Sequence, residues 1–410
     1  MAVGLGPLGR FFHLDGLEIA TAATGSRYQG RDDLLLFGFP EGTTHAACFT
    51  QNAFAAAPVK LAREHLATGA PRYWLVNAGN ANAATGAQGL ANAQKLCGYV
   101  ADSFDCDAQQ VAPFSTGVIG EQLPLEHTNN AFAESIAALN PAQADETLWG
   151  KAAHAIMTTD TVPKGVSVRV PMGANSFVVS GIAKGSGMIC PNMATMLAFI
   201  VTDLTVSRPL LQQTLTSCLA GSFNAISVDG DTSTNDAVAL AALGTSKLSS
   251  VDDSPKLARE FNAQLQGVCD TLAQMIVRDG EGITRFVCIE VAQAVNKAEA
   301  ERVARSVGHS PLVKTALSAG DPNWGRIAGA IGNAGVTDLD TSKVEIWMDD
   351  LCIMRGGVRD PDYTEEQGQC YFAPRELWLR LVLGRGEADY RFFTTDLSHE
   401  YISINADYRS

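Results

Sequence analysis

A glycine-rich loop that leads into a buried strand stands near the middle of the chain, in Lys184–Asp203, which reads KGSGMICPNMATMLAFIVTD. Its glycines and Pro191 predict a loop for the first part. The continuous apolar run of Met196–Val201 predicts a strand that is buried on both faces. Thr195 would lie where the flexible loop meets the rigid strand, a suitable place for a reactive hydroxyl. The stretch alone also fits a simpler interpretation, in which Thr195 is an ordinary β-branched residue beginning a core strand.

The composition excludes several classes of partner. With 410 residues and 46% hydrophobic content, the chain can bury a sizeable globular core. Its net charge is −14, whereas nucleic acids and anionic membranes are bound through clustered Lys and Arg. Neither is therefore expected as a partner, although a few local cations could still bind an anionic small substrate. No apolar run has the length of a membrane span, and no secretory signal is expected from the first residues.

The nine cysteines include no Cys-x-x-Cys pair, and none stands at zinc-site spacing with a histidine. We therefore expect reduced, mostly buried thiols in a cytoplasmic protein. Cys190 belongs to the central stretch and is a poor candidate nucleophile, because only Lys184 stands near enough in sequence to activate its thiol.

Alternating strand and helix patterns predict an α/β fold. Tyr73–Val76 is a short apolar strand, and Leu90–Val100 and Lys256–Ile276 have helical periodicity. The small-residue loop Asn77–Gly89 between the first two lacks both the lysine of a P-loop and the spaced glycines of a dinucleotide site. Close backbone packing explains this loop better than nucleotide binding does.

Three standard catalytic or metal motifs are missing. The sequence has no Gly-x-Ser-x-Gly elbow and no His-Glu-x-x-His helix. Its seven histidines are scattered along the chain, so there is no evidence for a Ser–His or Cys–His dyad either. The acidic loop Val228–Asp236 superficially resembles a calcium loop. An EF-hand is excluded, however, because Thr234 and Leu240 occupy the positions that require glycine and glutamate.

A threonine nucleophile is the remaining chemical possibility. It needs a base, and a threonine at the first position of its chain can use its own α-amine, whose pKa of roughly 7.7–8.0 is near working pH. Thr195 is internal, so this mechanism requires scission of the Ala194–Thr195 bond. The hydroxyl would attack the preceding carbonyl, and water would open the resulting ester. The residue pattern permits this scission without requiring it.

The block Gly185–Leu197 resembles the cleavage and nucleophile motif of the glutamate N-acetyltransferase (ornithine acetyltransferase) family of arginine biosynthesis. Seven further blocks are similar to that family and follow its order: Asn77–Asn82, Ser115–Ile119, Thr158–Thr161, Val228–Asp236, Arg278–Gly282, Asp321–Arg326 and Ile404–Ser410. One block would be a weak signal, whereas this ordered set covers essentially the whole chain.

The resemblance implies self-cleavage into an α chain that ends at Ala194 and a β chain that begins at Thr195. It also implies a ping-pong reaction in which Thr195 takes acetyl from N-acetylornithine, ornithine leaves, and glutamate accepts the acetyl group. Some family members also use acetyl-CoA, and the sequence leaves that donor open here. No metal or tightly held organic cofactor is implied, and the expected assembly has two α and two β chains in the cytoplasm. Two alternatives remain: an N-terminal-threonine amidase or aminopeptidase of the related fold, and an unprocessed binding or scaffold protein.

The same resemblance assigns the site residues. Thr116 and Gly117 match the pair that stabilises the oxyanion, and a hydroxyl and a backbone N–H at a strand break can both point at such a charge. A simple β-bulge at Gly117 would explain the same residues. Lys184 suits a substrate α-carboxylate, and Glu281 suits a substrate amino group. The implied substrate contacts are Thr158 or Thr159, Lys184, Thr195, Glu281, Asn405 and Ser410. The last two predict an ordered, buried tail, because termini otherwise fray.

The implied fold resembles the aminopeptidase-like N-terminal-nucleophile enzymes, with layered sheets packed between helices. We expect a catalytic α/β domain over residues 1–285, cut after Ala194 into chains 1–194 and 195–410. A smaller C-terminal α/β region over residues 286–410 would send its tail back to the active site.

Overall fold

A computed structural model of the chain describes residues 2–69, 71–125, 131–190 and 196–407. Ala194, Thr195 and Ser410, which carry three of the predicted site roles, lie outside these ranges. The described chain forms two compact units. The larger unit contains Gly6–Asn224 and Asp231–Ile276, and the other described residues form the smaller unit. The division at residue 285 and the returning tail stay predictions about the processed protein.

Strands and helices alternate along the described residues. The strands of the larger unit are β1 (Glu18–Ala22), β2 (Leu34–Gly38), β3 (Thr44–Phe49), β4 (Tyr73–Asn80), β5 (Val111–Val118), β6 (Ala142–Gln143), β7 (Lys164–Met172), β8 (Asn175–Lys184), β9 (Leu197–Thr202) and β10 (Ala237–Ala242). The first six helices are α1 (Ala57–Thr68), α2 (Gly86–Phe104), α3 (Ala131–Ala137), α4 (Glu146–Ala155), α5 (Arg208–Gly221) and α6 (Pro255–Arg278).

The strands of the larger unit form two five-stranded mixed sheets, in the orders β5-β4-β2-β1-β6 and β3-β10-β9-β8-β7. The β4–β5 and β9–β10 pairs are parallel. Phe37 and Trp74 of the first sheet contact Phe199 of the second, with ring centroids 5.7 and 5.9 Å apart. The two sheets therefore face each other across an aromatic core, where large rings supply much of the buried apolar surface.

Helices cover the outer faces of both sheets. Leu96 of α2 and Phe132 of α3 belong to the apolar cluster on the outer face of the first sheet. On the second sheet, α5 packs along β3. A Cβ added at Gly181 of β8 would lie 3.1 Å from Leu272 of α6, so that helix approaches the strand closely. This layered arrangement confirms the predicted α/β class.

The strand predicted in the central stretch is confirmed as β9. All six of its residues are buried, and it lies between β8 and β10 in the middle of its sheet. A central strand that is covered on both faces needs apolar side chains on both sides, which explains the unbroken hydrophobic run. Lys184, the last residue of β8, pairs with Leu197, the first residue of β9.

The smaller unit contains one six-stranded sheet in the order β14-β13-β12-β15-β11-β16. Its strands are β11 (Phe286–Ala294), β12 (Glu345–Met348), β13 (Leu351–Arg355), β14 (Val358–Arg359), β15 (Glu376–Val382) and β16 (Ala388–Thr395). Its helices are α7 (Lys297–Gly308), α8 (Pro311–Ala319), α9 (Trp324–Gly332), α10 (Glu365–Phe372) and α11 (His399–Asp407). Val303, Leu317 and Ile327, from α7, α8 and α9, share one core with the sheet.

The C-terminal tail forms helix α11 as far as the structure describes it. Asn405 lies in this helix, but the prediction of burial is wrong over residues 399–407. None of these residues is buried, and Ile402 keeps 61% of its surface exposed. The physical reason is composition. The helix reads HEYISINAD, which has too few apolar side chains for the helix to be buried against the rest of the unit.

Lys314 of α8 is buried inside the smaller unit. Its ammonium donates to the Thr394 and Thr395 hydroxyls at 3.2 and 3.1 Å. Burial lowers its pKa to about 8, against the opposing effect of the Asp396 and Asp229 carboxylates. The ammonium is therefore harder to keep charged in the folded state than in the unfolded chain.

We expect this lysine to make the stability of the smaller unit rise with pH. The pKa of Lys314 is lower in the folded state than its ordinary value of 10.5, so the unfolded chain binds more protons in between. The free energy of unfolding should rise by about 2 kcal/mol from about pH 7.5 to about pH 9.5 through this group alone. Lys314→Met should lose that rise. Urea-induced unfolding of both proteins at the two pH values measures the free energy of unfolding. If this free energy changed equally with pH in both proteins, the prediction would be contradicted.

Candidate active site

Thr116 and Gly117 lie near the end of β5, where its pairing with β4 is irregular. The register shifts so that Asn80 faces both Thr116 and Val118. Gly117 has a φ of +129°, and a Cβ there would lie 2.3 Å from the carbonyl carbon of Gly79. Only glycine fits between these backbones. The predicted strand break is thus a β-bulge within a strand that continues to Val118.

Lys184 reaches across from β8 to this bulge. Its ammonium lies 3.3 Å from the Thr116 hydroxyl oxygen and 2.8 Å from that of Thr158. Lys184 and Thr116 are each only 8% exposed. Three of the predicted site residues therefore form one cluster, in which Lys184 and Thr116 are buried and Thr158 is half-buried. Of the adjacent pair left open by the sequence, Thr158 is the residue whose hydroxyl contacts Lys184, while a substrate contact by Thr158 or Thr159 stays a prediction.

Asp160 organises this cluster, although the sequence analysis assigned it no role. One carboxylate oxygen accepts from the Lys164 ammonium at 2.6 Å and from the Gly185 N–H at 2.7 Å. The other accepts from the Thr158 N–H at 3.0 Å and lies 4.0 Å from the Lys184 ammonium. Its position within a family-like block, four residues before a lysine, was the available signal.

The electrostatics of the cluster follow from these contacts. Burial alone would raise the pKa of Asp160, but the charges of Lys164 and Lys184 and the Gly185 N–H hold it below the ordinary value. The carboxylate is therefore ionised. Lys184 contacts two hydroxyls besides lying near this carboxylate, and its ammonium group favours an anionic ligand.

The segments on both sides of residues 191–195 are held by neighbouring parts of the chain, the acidic loop and the strand β10 that follows it. The Thr232 hydroxyl donates to the Cys190 carbonyl at 2.8 Å. On the other side, the Ala237 N–H donates to the Met196 carbonyl at 2.9 Å. The loop that superficially resembles a calcium loop therefore supports one flank of the central stretch, and the first residue of β10 supports the other.

Asn235 ties the same loop to the strand that carries Thr116. Its amide group donates to the Ala81 carbonyl at 2.6 Å and to the Ser115 carbonyl at 2.9 Å. The side chain is 7% exposed, so these bonds are shielded from water. Sequence reasoning placed Asn235 in a family-like block but assigned it no role, because its partners are distant in sequence.

Two other predicted residues meet in the smaller unit. The Asn405 amide donates to the Glu281 carboxylate at 2.9 Å. Gly282 has a φ of +64°, and a Cβ added there would lie 2.3 Å from the backbone nitrogen of Tyr401. Helix α11 therefore packs directly on the turn that carries Glu281, which brings the two predicted substrate residues together.

Metal-binding clusters and membrane-spanning helices are both absent from the described residues. They contain no group of three or more His, Cys, Asp or Glu side chains that could hold a metal ion. Over the same residues, no helix combines the length and the apolar character needed to cross a membrane.

Facing mixed sheets and a buried lysine–threonine cluster beside a glycine-shaped bulge define an α/β protein with an enzyme-like polar site. The sequence model of the ArgJ family matches residues 18–410. The arginine biosynthesis bifunctional protein ArgJ of Methylococcus capsulatus is 49% identical over 401 residues, which cover 98% of this chain and 97% of that protein. Its counterpart in Pseudomonas fluorescens is 46% identical over 411 residues, with both chains covered completely. The chain belongs to the ArgJ family.

A solved structure is similar as well. The crystal structure of the arginine biosynthesis bifunctional protein ArgJ from Bacillus halodurans matches with 35% sequence identity and a TM-score of 0.50. The match covers 52% of this chain and 100% of that chain. The family resemblance read from the sequence blocks is thereby confirmed.

Proposed function

We propose that this protein is an acetyltransferase of arginine biosynthesis that transfers acetyl from N-acetylornithine to glutamate. The single observation that carries the proposal is the contact of the buried Lys184 ammonium with the hydroxyls of Thr116 and Thr158. This cluster adjoins the strand that follows the proposed nucleophile, because Leu197, two positions after Thr195, pairs with Lys184. The names of the curated relatives support arginine biosynthesis as the pathway.

The proposed reaction has two acyl-transfer steps. The α-amine of Thr195 takes the hydroxyl proton while the oxygen attacks the acetyl carbonyl. The C–N bond then breaks, and ornithine leaves with the proton on its amine. In the second step the amine of glutamate attacks the acetyl ester, which forms N-acetylglutamate and restores the Thr195 hydroxyl. The Thr116 hydroxyl and the Gly117 N–H stabilise the oxyanion in both steps.

Charge supports the choice of substrate. Both amino-acid substrates carry an α-carboxylate, and the ammonium group of Lys184 is a complementary charge within the cluster. A buried charge-assisted contact of this kind is stronger than the same contact in water. Glu281, Asn405, Ser410 and the Thr158–Thr159 pair keep the substrate-binding roles that the resemblance assigns to them.

Self-cleavage between Ala194 and Thr195 is part of the proposal. The B. halodurans chain is matched over its whole length by only 52% of this chain, whereas the curated relatives match over 97–100% of theirs. The expected β chain would contain 216 of the 410 residues. This is about the same fraction of the present chain as the part that matches the B. halodurans structure. We also propose the cytoplasmic assembly of two α and two β chains that the family resemblance implies.

The experiment that tests the function combines a mass measurement with an assay. The purified protein should separate on denaturation into pieces of 194 and 216 residues, the second of which begins with Thr195. Acetyl-labelled N-acetylornithine should then pass its label to glutamate. If an active preparation contained only the intact chain, the cleavage mechanism would be wrong. Release of free acetate without N-acetylglutamate would favour the amidase alternative, and transfer from labelled acetyl-CoA would identify a second donor.

A further inference from the structure

We propose that Asp160 is a positioning residue that acts through Lys184 to direct the hydroxyl proton of Thr116 toward the reacting carbonyl. This inference rests on the proposed function, because it assumes that Thr116 donates to an oxyanion. It explains why a fully buried carboxylate, paired mainly with Lys164, lies beside two residues of the candidate site.

The direction of the hydrogen bonds follows from the chemistry of an ammonium group. Lys184 has three N–H donors and no acceptor, so in its 3.3 Å contact with Thr116 the threonine oxygen must accept. A hydroxyl has a single proton. Once the oxygen of Thr116 accepts from Lys184, its proton is left to donate elsewhere. The nearby positive charge also polarises that O–H bond and makes it a better donor to a developing negative charge.

Asp160 fixes Lys184 from two sides. The carboxylate lies 4.0 Å from the Lys184 ammonium, close enough for attraction without a direct hydrogen bond. It also accepts from the backbone N–H of Gly185, the residue that follows Lys184, so it anchors the end of the strand that carries the lysine. One acidic group thus sets both the backbone and the side chain of Lys184.

Lys164 balances this attraction. Its ammonium takes the short 2.6 Å contact with Asp160, so most of the negative charge is already neutralised. Without Lys164, the full charge of Asp160 would draw Lys184 into a direct ion pair and away from Thr116. The pair of Asp160 and Lys164 therefore holds Lys184 at the distance where it still contacts both threonine hydroxyls.

Asp160→Asn tests the proposal with almost no change of shape. An amide has one acceptor oxygen and one NH₂ donor group. In one orientation its NH₂ group faces the Thr158 N–H, and in the other it faces the donors of Lys164 and Gly185, so a donor meets a donor in both cases. The ammonium groups of Lys164 and Lys184 also lose the negative charge of Asp160, which disfavours their charged form. We expect kcat for acetyl transfer to fall by about 100-fold, the scale of a lost oxyanion donor. The remaining activity should also decline as pH rises, a dependence absent from the parent protein.

A double-mutant cycle separates positioning from general damage. If Asp160 acts through Lys184, adding Asp160→Asn to Lys184→Met should lower kcat by less than about 3-fold. If the fold-loss of kcat in the double variant equalled the product of the fold-losses in the two single variants, the proposal would be overturned. Asp203→Asn is the matched control, because Asp203 also accepts a backbone N–H, from Val178 at 2.9 Å near the start of the same strand β8. It should change neither kcat nor the pH profile.

Lys164→Met covers the case in which Asp160→Asn does not fold. It leaves one ammonium facing one carboxylate, and Lys184 should then move toward Asp160. We expect kcat to fall by about 10-fold or more, and an unchanged kcat would overturn the proposal. Failure of the proposed function is distinguishable, because the parent protein itself would then transfer no acetyl group. Transfer by the parent with equal kcat in Asp160→Asn would reject only the positioning role.

Discussion

Replacing Thr195 with alanine is expected to leave a single chain of 43.4 kDa that transfers no acetyl group. Alanine removes the hydroxyl that would attack the Ala194 carbonyl during cleavage and the acetyl donor during turnover. One substitution should therefore abolish both events. The loss of transfer should be at least about 10⁴-fold, as expected when the nucleophile of a covalent mechanism is removed. Mass spectrometry of the denatured protein and the labelled-acetyl assay measure the two effects separately.

Thr195→Ser is the matched control for that experiment. Serine keeps the hydroxyl and, after cleavage, the α-amine, so both pieces and some transfer should persist. A Thr195→Ala protein that is still cut at the same bond would show that another group performs the cleavage. A Thr195→Ala protein that stays intact but transfers acetyl would remove Thr195 from the catalytic mechanism.

Elements whose own residues determine their burial were predictable from the sequence. Strand β9 is an example, because a strand covered on both faces is apolar at every position. Helix α10 was not predicted, although Thr364 and Gln367 form a capping box that marks its start. Strand β10 was also missed. Its sequence, AVALAA, has no strong strand preference, and only its pairing with β3 and β9 fixes the extended conformation.

The end of strand β4 shows how small polar residues hide a strand. The sequence predicts that the strand ends at Val76, because Asn77, Gly79 and Asn80 are typical of loops. In the structure β4 continues through Asn80. The buried Asn77 carboxamide oxygen accepts from the Ser115 hydroxyl at 2.5 Å on the neighbouring strand. This hydrogen bond satisfies the Asn77 side chain although its partner is nearly forty positions away. From the sequence alone, the polar Asn77 side chain would be expected in water.

The candidate site was predictable residue by residue only where a whole block resembled the family. Thr116 and Lys184 were found in this way, and the structure brings them together. Asp160 and Lys164 were not found, because the need for a buried counter-charge arises only when two lysines and a carboxylate are packed out of water. Such requirements depend on tertiary contacts, and no local pattern encodes them.

Replacing Gly117 with alanine is expected to disable the proposed oxyanion site. The added Cβ would lie 2.3 Å from the Gly79 carbonyl carbon and 2.6 Å from the Asn80 nitrogen, so both strands must shift at the bulge. The unfavourable positive φ adds about 1–3 kcal/mol, and overpacking adds about 1–3 kcal/mol. The free energy of unfolding should therefore fall by about 2–6 kcal/mol. Displacing the Gly117 N–H and the Thr116 hydroxyl should lower kcat for transfer by at least about 100-fold.

Gly173→Ala isolates the cause of that effect. Gly173 has a φ of +67° in the turn between β7 and β8, and a Cβ there would have no neighbour within 4 Å. The control therefore carries the cost of a positive φ, about 1–2 kcal/mol, without the collision, and its transfer rate should be unchanged. Urea unfolding and the acetyl-transfer assay on both variants separate the two contributions. A folded Gly117→Ala protein with the kcat of the parent would refute the assignment of Gly117 to oxyanion stabilisation. Equal losses of stability in the two variants would refute the collision as the reason that glycine is required.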